Sequence, residues 1–248
     1  MAQAASVTAA LLVIGDEILS GRTKDQNIGY TADFLARTGI DLREARIVPD
    51  DAGEIIAAVN TLRARYDYLF TTGGIGPTHD DITADAIAAA FGVEISEDPR
   101  AIKMLLEHFR PEDLNAARRR MARVPEGAEL IPNRLSKAPG FWIGNVIVLA
   151  GIPSVMQAML DEVAPKLKGG APTVAETIVA GPIPEGAYAG PLSELAAASP
   201  ALAIGSYPAV RDGRFHNEIV VRGKDPAQVA AAAAAINDIV ARLGKDFA

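Results

Sequence analysis

Residues 70–85 read FTTGGIGPTHDDITAD. They open at the end of an apolar run, Tyr68-Leu69-Phe70, with the length and continuity of a buried strand. Three glycines follow, Gly73, Gly74 and Gly76, then Pro77 closes the turn, and two adjacent carboxylates, Asp80 and Asp81, stand before a helical stretch. Glycine lets the backbone take φ > 0 and bring N–H groups close to a ligand. N–H groups arranged in this way cradle a phosphate. A carboxylate pair beside such a cradle favours a divalent cation, because hard cations prefer oxygen ligands. The stretch therefore reads as a phosphate-and-metal loop delivered by a strand, which implies an α/β fold.

Outward from this loop, strands and helices alternate. Residues 7–14 are a short, continuously apolar strand. Residues 27–38 form an amphipathic helix with Ile28, Phe34 and Leu35 suitably spaced and Gly39 placed to end it. Residues 40–48 are a second strand and 54–65 a second helix, with Ile55, Ile56, Val59 and Leu62 along one side. Residues 67–71 are the third strand. Thr83 is placed to cap a helix over 84–91 that Gly92 stops. Residues 98–123 read as helical and charged, outside the sheet. Two strands, 141–143 and 146–149, meet at the tight turn Gly144-Asn145, and a helix spans 152–167. The pattern predicts a three-layer α/β/α fold around a mostly parallel sheet covered on both faces.

Lys168-Gly-Gly-Ala-Pro172 is a linker. Beyond it the expected order is strand (174–179), helix (191–198), strand (202–206), strand (215–221) and helix (226–243). That gives two domains, residues 1–169 and a smaller βαββα unit at 170–248. The alanine run 230–235 is good helix material.

Ligands in parallel α/β sheets sit beyond the carboxyl ends of the strands. Three such ends carry unusual loops here. The first strand runs into Gly15-Asp16-Glu17, the third into the glycine–diaspartate loop, and the strand 146–149 into Ala150-Gly151-Ile152-Pro153-Ser154. Pro153 and Ser154 suit a helix start. Convergence of these loops at one sheet edge is a stronger signal than any one of them.

Composition narrows the classes. A chain of 248 residues with 49% hydrophobic content can bury a large core without staples. No cysteine is present, which excludes disulfides and thiolate metal sites. The start of the chain lacks a basic region and runs straight into Gly15-Asp16-Glu17, so it reads as a first strand and not a signal peptide. No apolar run approaches the roughly 20 residues needed to span a bilayer, and a cytoplasmic protein without membrane partners is expected. A formal charge of −7 argues against nucleic acid as a partner. The basic cluster Arg118, Arg119, Arg120 and Arg123 reads first as a solvated helix face, with anion contact second. No G-x-x-x-x-G-K-[ST] and no G-x-G-x-x-G after the first strand occur. The three histidines, His79, His108 and His216, assemble no Ser–His–Asp arrangement.

Four segments carry a resemblance: Gly15-Asp16-Glu17-Ile18-Leu19, the run from Thr72 to Asp81, Ala138-Pro139-Gly140, and Gly151-Ile152-Pro153-Ser154. Over residues 7–168 the chain resembles the molybdopterin-binding domain family, in the branch called competence/damage-inducible protein A. The first two segments, with Val48-Pro49-Asp50, are equally similar to the N-terminal domain of eukaryotic FAD synthases. The resemblance does not extend to the amidohydrolase domain of the bacterial proteins, which acts on nicotinamide mononucleotide, and that activity is not carried over. What it implies is a molybdopterin-binding-like α/β/α fold taking a phosphate beside a flat heterocycle. In the nearer relatives it implies metal-dependent cleavage of a pyrophosphate, in ADP-ribose or FAD, by a nucleotide pyrophosphatase. Asp16 stands where many bacterial relatives have threonine and the flavin-related domains have aspartate, which favours a nucleotide.

The expected roles follow. Asp80 and Asp81, with Asp16 or Glu17 completing the shell, would bind magnesium, manganese or cobalt and so act as the catalytic pair. Backbone N–H groups of Gly73, Gly74 and Gly76, with the Thr72 or Thr78 hydroxyl, would hold a phosphate. Gly15, Asn27, Pro139, Gly140, Gly151, Pro153 and Ser154 would line the ligand. The alternative is a non-catalytic module that binds molybdopterin. Relatives form dimers or trimers, so a homo-oligomer is expected.

Overall fold

The computed structural model describes residues 6–211 and 214–246. Its backbone separates into two compact units, Met1–Gly170 and Ala171–Ala248. The first opens with β1 (Val7–Ile14), a single-turn α1 (Asp16–Leu19), α2 (Asn27–Arg37), β2 (Ile40–Val48), α3 (Ala52–Arg65) and β3 (Tyr68–Thr72). There follow α4 (Thr83–Phe91), β4 (Ile95–Glu97), α5 (Pro99–Leu105), α6 (Ala116–Arg120) and β5 (Arg123–Pro125). The unit closes with β6 (Glu129–Ile131), β7 (Gly140–Ile143), β8 (Val146–Leu149) and α7 (Pro153–Val163).

Six of these strands form one sheet in the order β2-β1-β3-β8-β7-β6. β2, β1, β3 and β8 run parallel, while β7 is antiparallel to both β8 and β6. Alternation along the parallel strands decides which helix layer each side chain meets. Leu12, Ile14, Leu69 and Val148 pack in one core with Ile55, Leu62 and Ile87 of α3 and α4. Leu11, Val13, Phe70 and Leu149 pack in the other with Leu35, Met156 and Leu160 of α2 and α7. At about 1.5–3 kcal/mol per fully buried aliphatic side chain, the central strands are fixed from both sides. This is the three-layer α/β/α arrangement. No helix of the described residues is long and apolar enough to cross a membrane.

Several helix ends follow directly from the residues that cap them. The Asp51 carboxylate accepts the Glu54 N–H at 3.0 Å to start α3. Gly92, at φ 66°, takes the left-handed turn that ends α4. Two expectations need correction. Residues 98–123 are not one helical stretch: they hold the short α5, a 3₁₀ turn at Pro111–Asp113 and the five-residue α6. β5 then pairs antiparallel with β4 in a small sheet of its own. Thr83 does not cap α4 from outside; it is the first helical residue, fully buried, and its hydroxyl is engaged elsewhere.

The second unit runs β9 (Val174–Gly181), α8 (Glu185–Ala198), β10 (Ala203–Tyr207), β11 (Val210–Arg211), β12 (Arg214–Phe215), β13 (Asn217–Gly223) and α9 (Pro226–Leu243). Its antiparallel sheet has the order β10-β13-β9. Ile178, Ile219 and Val221 pack with Tyr188 and Leu192 of α8 and with Val229 and Ile236 of α9. That is a βαββα unit with a two-strand β11–β12 ribbon added before β13. The helix expected at 191–198 begins instead at Glu185 and carries Pro191 inside it. Proline suits a first turn, which is why it read as a start; inside the helix it removes one i→i−4 bond. The strand expected at 215–221 is likewise divided, Phe215 belonging to β12 and β13 starting at Asn217.

Candidate functional site

The carboxyl ends of β1, β3 and β8 meet backbone to backbone. A Cβ placed on Gly73 would lie 2.1 Å from the Ile14 carbonyl oxygen, and one on Gly151 would lie 3.2 Å from Gly73 Cα. Gly73 (φ 104°) and Gly74 (φ 67°) also hold torsions that other residues resist. The Thr83 hydroxyl donates to the Gly73 carbonyl at 2.9 Å, and the Thr83 N–H donates to the Gly74 carbonyl at 3.0 Å. The loop is thus sewn to the first turn of α4.

This packing sorts the expected phosphate donors. The Gly73 N–H donates to the Leu149 carbonyl at 3.3 Å and is not available to a ligand. The N–H groups of Gly74, Ile75 and Gly76 donate to no protein acceptor among the described residues. Thr72 Oγ1 is buried and unpartnered, whereas the Thr78 hydroxyl is engaged, donating to Asp81 Oδ2 at 2.5 Å. Asn27, 5% exposed at the start of α2, donates its Nδ2–H to the Gly151 carbonyl at 2.8 Å, while its Oδ1 is buried without a partner. α2 thereby joins the same edge, as expected of Asn27. An unsatisfied buried acceptor is uncommon and calls for an explanation such as a ligand or ordered water.

The carboxylates surround this edge. Asp81 accepts the Thr78 N–H at 2.8 Å as well as its hydroxyl, and its Oδ2 lies 2.6 Å from where a Cβ on Gly76 would be, so the carboxylate packs close against the glycine backbone. Asp80 is exposed, and its Oδ1 lies 3.9 Å from Nδ1 of the exposed His79. Asp16, also exposed, donates its backbone N–H to Asp50 Oδ2 at 3.0 Å. The Glu17 carboxylate folds back over Gly15, lying 2.4 Å from where a Cβ there would be. Asp50, at the end of β2, is a residue the sequence reading did not assign to the site. Its carboxyl is pushed up from the ordinary range, chiefly by burial; the Asp16 N–H opposes the shift, and Asp16, Asp80 and Asp81 add to it. The signal for Asp50 lay in Val48-Pro49-Asp50, a fourth strand end at the same edge. Among the described residues no three carboxylate or imidazole groups are gathered closely enough to hold a metal ion.

The remaining expected residues divide. Pro153 is the first residue of α7, and Ser154 is exposed in its first turn. Pro139 is buried and helps line a narrow pocket behind the glycine loop. Gly140 serves the sheet, since a Cβ there would meet the Val148 carbonyl at 2.3 Å. The arginine cluster is not one solvated face. Arg118 stacks over the Phe109 ring, Arg119 pairs with Glu97 and Arg123 pairs with Asp85. Arg120 turns into the pocket that Gly74, Gly76 and Asp81 also line.

Comparison with known proteins agrees with this architecture. Residues 10–169 match the family described as probable molybdopterin binding domain, and residues 174–243 match the one described as FAD synthase, middle domain. A CinA-like protein of Citrifermentans bemidjiense is 42% identical over 168 residues, covering 64% of this chain and 40% of that protein. The match thus spans less than half of that relative's length. A protein of Pyrobaculum arsenaticum is 34% identical over 208 residues, covering 80% of this chain and 78% of that one. The crystal structure of the protein CinA with unknown function from Thermoplasma acidophilum superposes with a TM-score of 0.62 at 32% identity, over 65% of this chain and 98% of that one.

Proposed function

The chain belongs to the probable molybdopterin-binding domain family, and from that premise we propose that its first unit binds the phosphate end of a small heterocyclic ligand of the molybdopterin kind. The observation that carries the proposal is the row of N–H groups at Gly74, Ile75 and Gly76, which donate to no protein acceptor among the described residues. Three adjacent N–H groups on a glycine-rich turn form an anion-binding concavity. Thr72 Oγ1 and Asn27 Oδ1 are buried beside the same strand ends without partners, and they would take hydrogen bonds that a ligand or its ordered water provides. Ser154, in the first turn of α7, would meet a second polar group of the ligand.

A second reading, cleavage of a nucleotide pyrophosphate such as ADP-ribose or FAD, is favoured by the carboxylates. Asp16, Asp80 and Asp81 each raise the Asp50 carboxyl, so negative charge is concentrated where a phosphate would sit. A cation would relieve it. Magnesium is often held by one or two carboxylates together with the substrate's own phosphates; Asp80 and Asp16, both exposed, are the groups that would contribute. Such an ion would offset charge on the phosphate oxygens and lower the pKa of a bound water. The protein's own part is to orient the phosphate through the free N–H groups and to fix Asp81 through Thr78.

Isothermal titration with a phosphorylated pterin and with FAD tests the first reading; saturable binding at one site per chain is expected, and no heat with either ligand overturns it. Incubation with FAD or ADP-ribose plus magnesium, manganese or cobalt tests the second. AMP release that Asp80→Asn abolishes supports cleavage, while binding without AMP leaves a binding module.

A further inference from the structure

Resting on the reading that a phosphate occupies the glycine loop, we infer that Arg120 is the cation that meets it. The inference comes from how the four neighbouring arginines are spent. Arg118 stacks on Phe109 and donates to the Asp113 carbonyl at 2.5 Å. Arg119 is held by Glu97. Arg123, which shares the pocket, is neutralised by Asp85 through two contacts, at 2.6 and 2.8 Å. Among the described residues Arg120 has neither the acid that holds Arg119 and Arg123 nor the ring that Arg118 covers. Its Nη2 donates to the Asp81 carbonyl at 3.0 Å, a neutral acceptor in the glycine loop itself. Its Nε is buried with no partner, and it forms no ion pair among the described residues.

A buried Nε–H without an acceptor is costly on this half-buried side chain, and a planar fork of donors matches phosphate oxygens. The pocket it enters is also lined by Gly74, Gly76 and Asp81, so the guanidinium and the glycine loop border the same space. The pocket lining makes a second argument: of the two arginines that line it, Arg123 is paired with Asp85 and Arg120 is matched by no acid among the described residues. The class of ligand selected is a phosphomonoester or pyrophosphate, which can use the N–H row and the guanidinium together.

The test is titration calorimetry of the full chain with inorganic pyrophosphate, comparing wild type, Arg120→Gln, Arg120→Lys and Arg119→Gln. Loss of a hydrogen bond to a charged group predicts about 10- to 100-fold weaker binding for Arg120→Gln. Arg120→Lys should recover part of that loss, and Arg119→Gln should bind like wild type. Wild-type binding that Arg120→Gln leaves unchanged overturns the role of Arg120 alone. A wild-type protein that binds no pyrophosphate overturns the phosphate reading beneath it as well. Should Arg120→Gln fail to fold, phenylglyoxal labelling of the wild type decides the matter: pyrophosphate should slow modification of Arg120 and not of Arg119, and equal labelling overturns the inference.

Discussion

Two of the three buried asparagines, Asn27 in the first unit and Asn217 in the second, are treated in opposite ways, while Asn133 of the first unit is bonded at both ends like Asn217. Asn217, 1% exposed at the start of β13, donates its Nδ2–H to the Ile183 carbonyl at 2.9 Å and accepts the Ala209 N–H on its Oδ1 at 3.4 Å. Asn27 has one end bonded, to Gly151, and the other empty-handed. The second unit uses its asparagine as a staple between loops. The first unit leaves half of one unspent at the edge where three strands end. The half-bonded amide of Asn27 leaves an acceptor open at that edge, which a ligand or an ordered water would fill.

The contrast can be broken or sharpened by mutation. The largest effect is expected at Gly73, which carries the edge that Asn27 faces. Gly73→Ala forces a strained torsion and a clash with the Ile14 carbonyl, and should cost about 3–5 kcal/mol in a urea melt. A loss under about 1 kcal/mol would show that the three strand ends are not locked together. Next comes the pair itself. Asn217→Ala strands two backbone groups and should cost about 2–3 kcal/mol, while Asn27→Ala strands one and should cost about 1 kcal/mol. Asn27→Ala should nevertheless abolish more ligand-induced stabilisation than Asn217→Ala does, which thermal melts with FAD would read. Equal losses in both assays would remove the distinction.

A smaller effect follows from Asp50. Its folded-state pKa lies above its unfolded value, so its contribution to stability is full below the ordinary carboxylate range and is lost as pH rises through the raised value. Asp50→Asn should therefore flatten the decline of stability over that window and stabilise the protein at neutral pH, by less than about 1 kcal/mol given partial solvent screening. Denaturant melts between pH 4 and 8 check this; an unchanged pH profile removes the carboxylate cluster from the electrostatic account. The smallest change in stability is expected for Ser154→Ala, within about 0.5 kcal/mol for an exposed residue. If ligand affinity is also unaltered, α7 contributes only its backbone.

Much of this was legible in the sequence, and the reasons differ by element. β1 and β8 were readable because strands buried on both faces form unbroken apolar runs, β2 because an edge strand alternates between apolar and charged residues, and α9 because its eighteen residues carry a long period. β4, β5 and β6 were not, since three residues hold too little pattern to separate a strand from a loop. The start of α8 was hidden by Pro191, whose commonest helical position is the first turn. At the site, the glycine loop declared itself, but which N–H groups are free depends on Leu149, three-quarters of a hundred residues away along the chain. Arg120 was concealed for a similar reason. Four arginines in six positions resemble a solvated surface until tertiary neighbours claim three of them.

The glycines at 73 and 151 carry a consequence for how such a site can diversify. Where a Cβ on Gly73 would strike Ile14 O, no side chain can be tried without moving a strand end, and one on Gly151 would press tightly on Gly73 Cα. The floor of the edge is therefore closed to innovation, and new ligand preferences must be written at its rim. Asp16, His79, Asp80 and Ser154 are exposed there and free to vary in size and charge. On the proposed reading, backbone would supply the constant grip on phosphate, and a handful of replaceable side chains the vocabulary for everything attached to it.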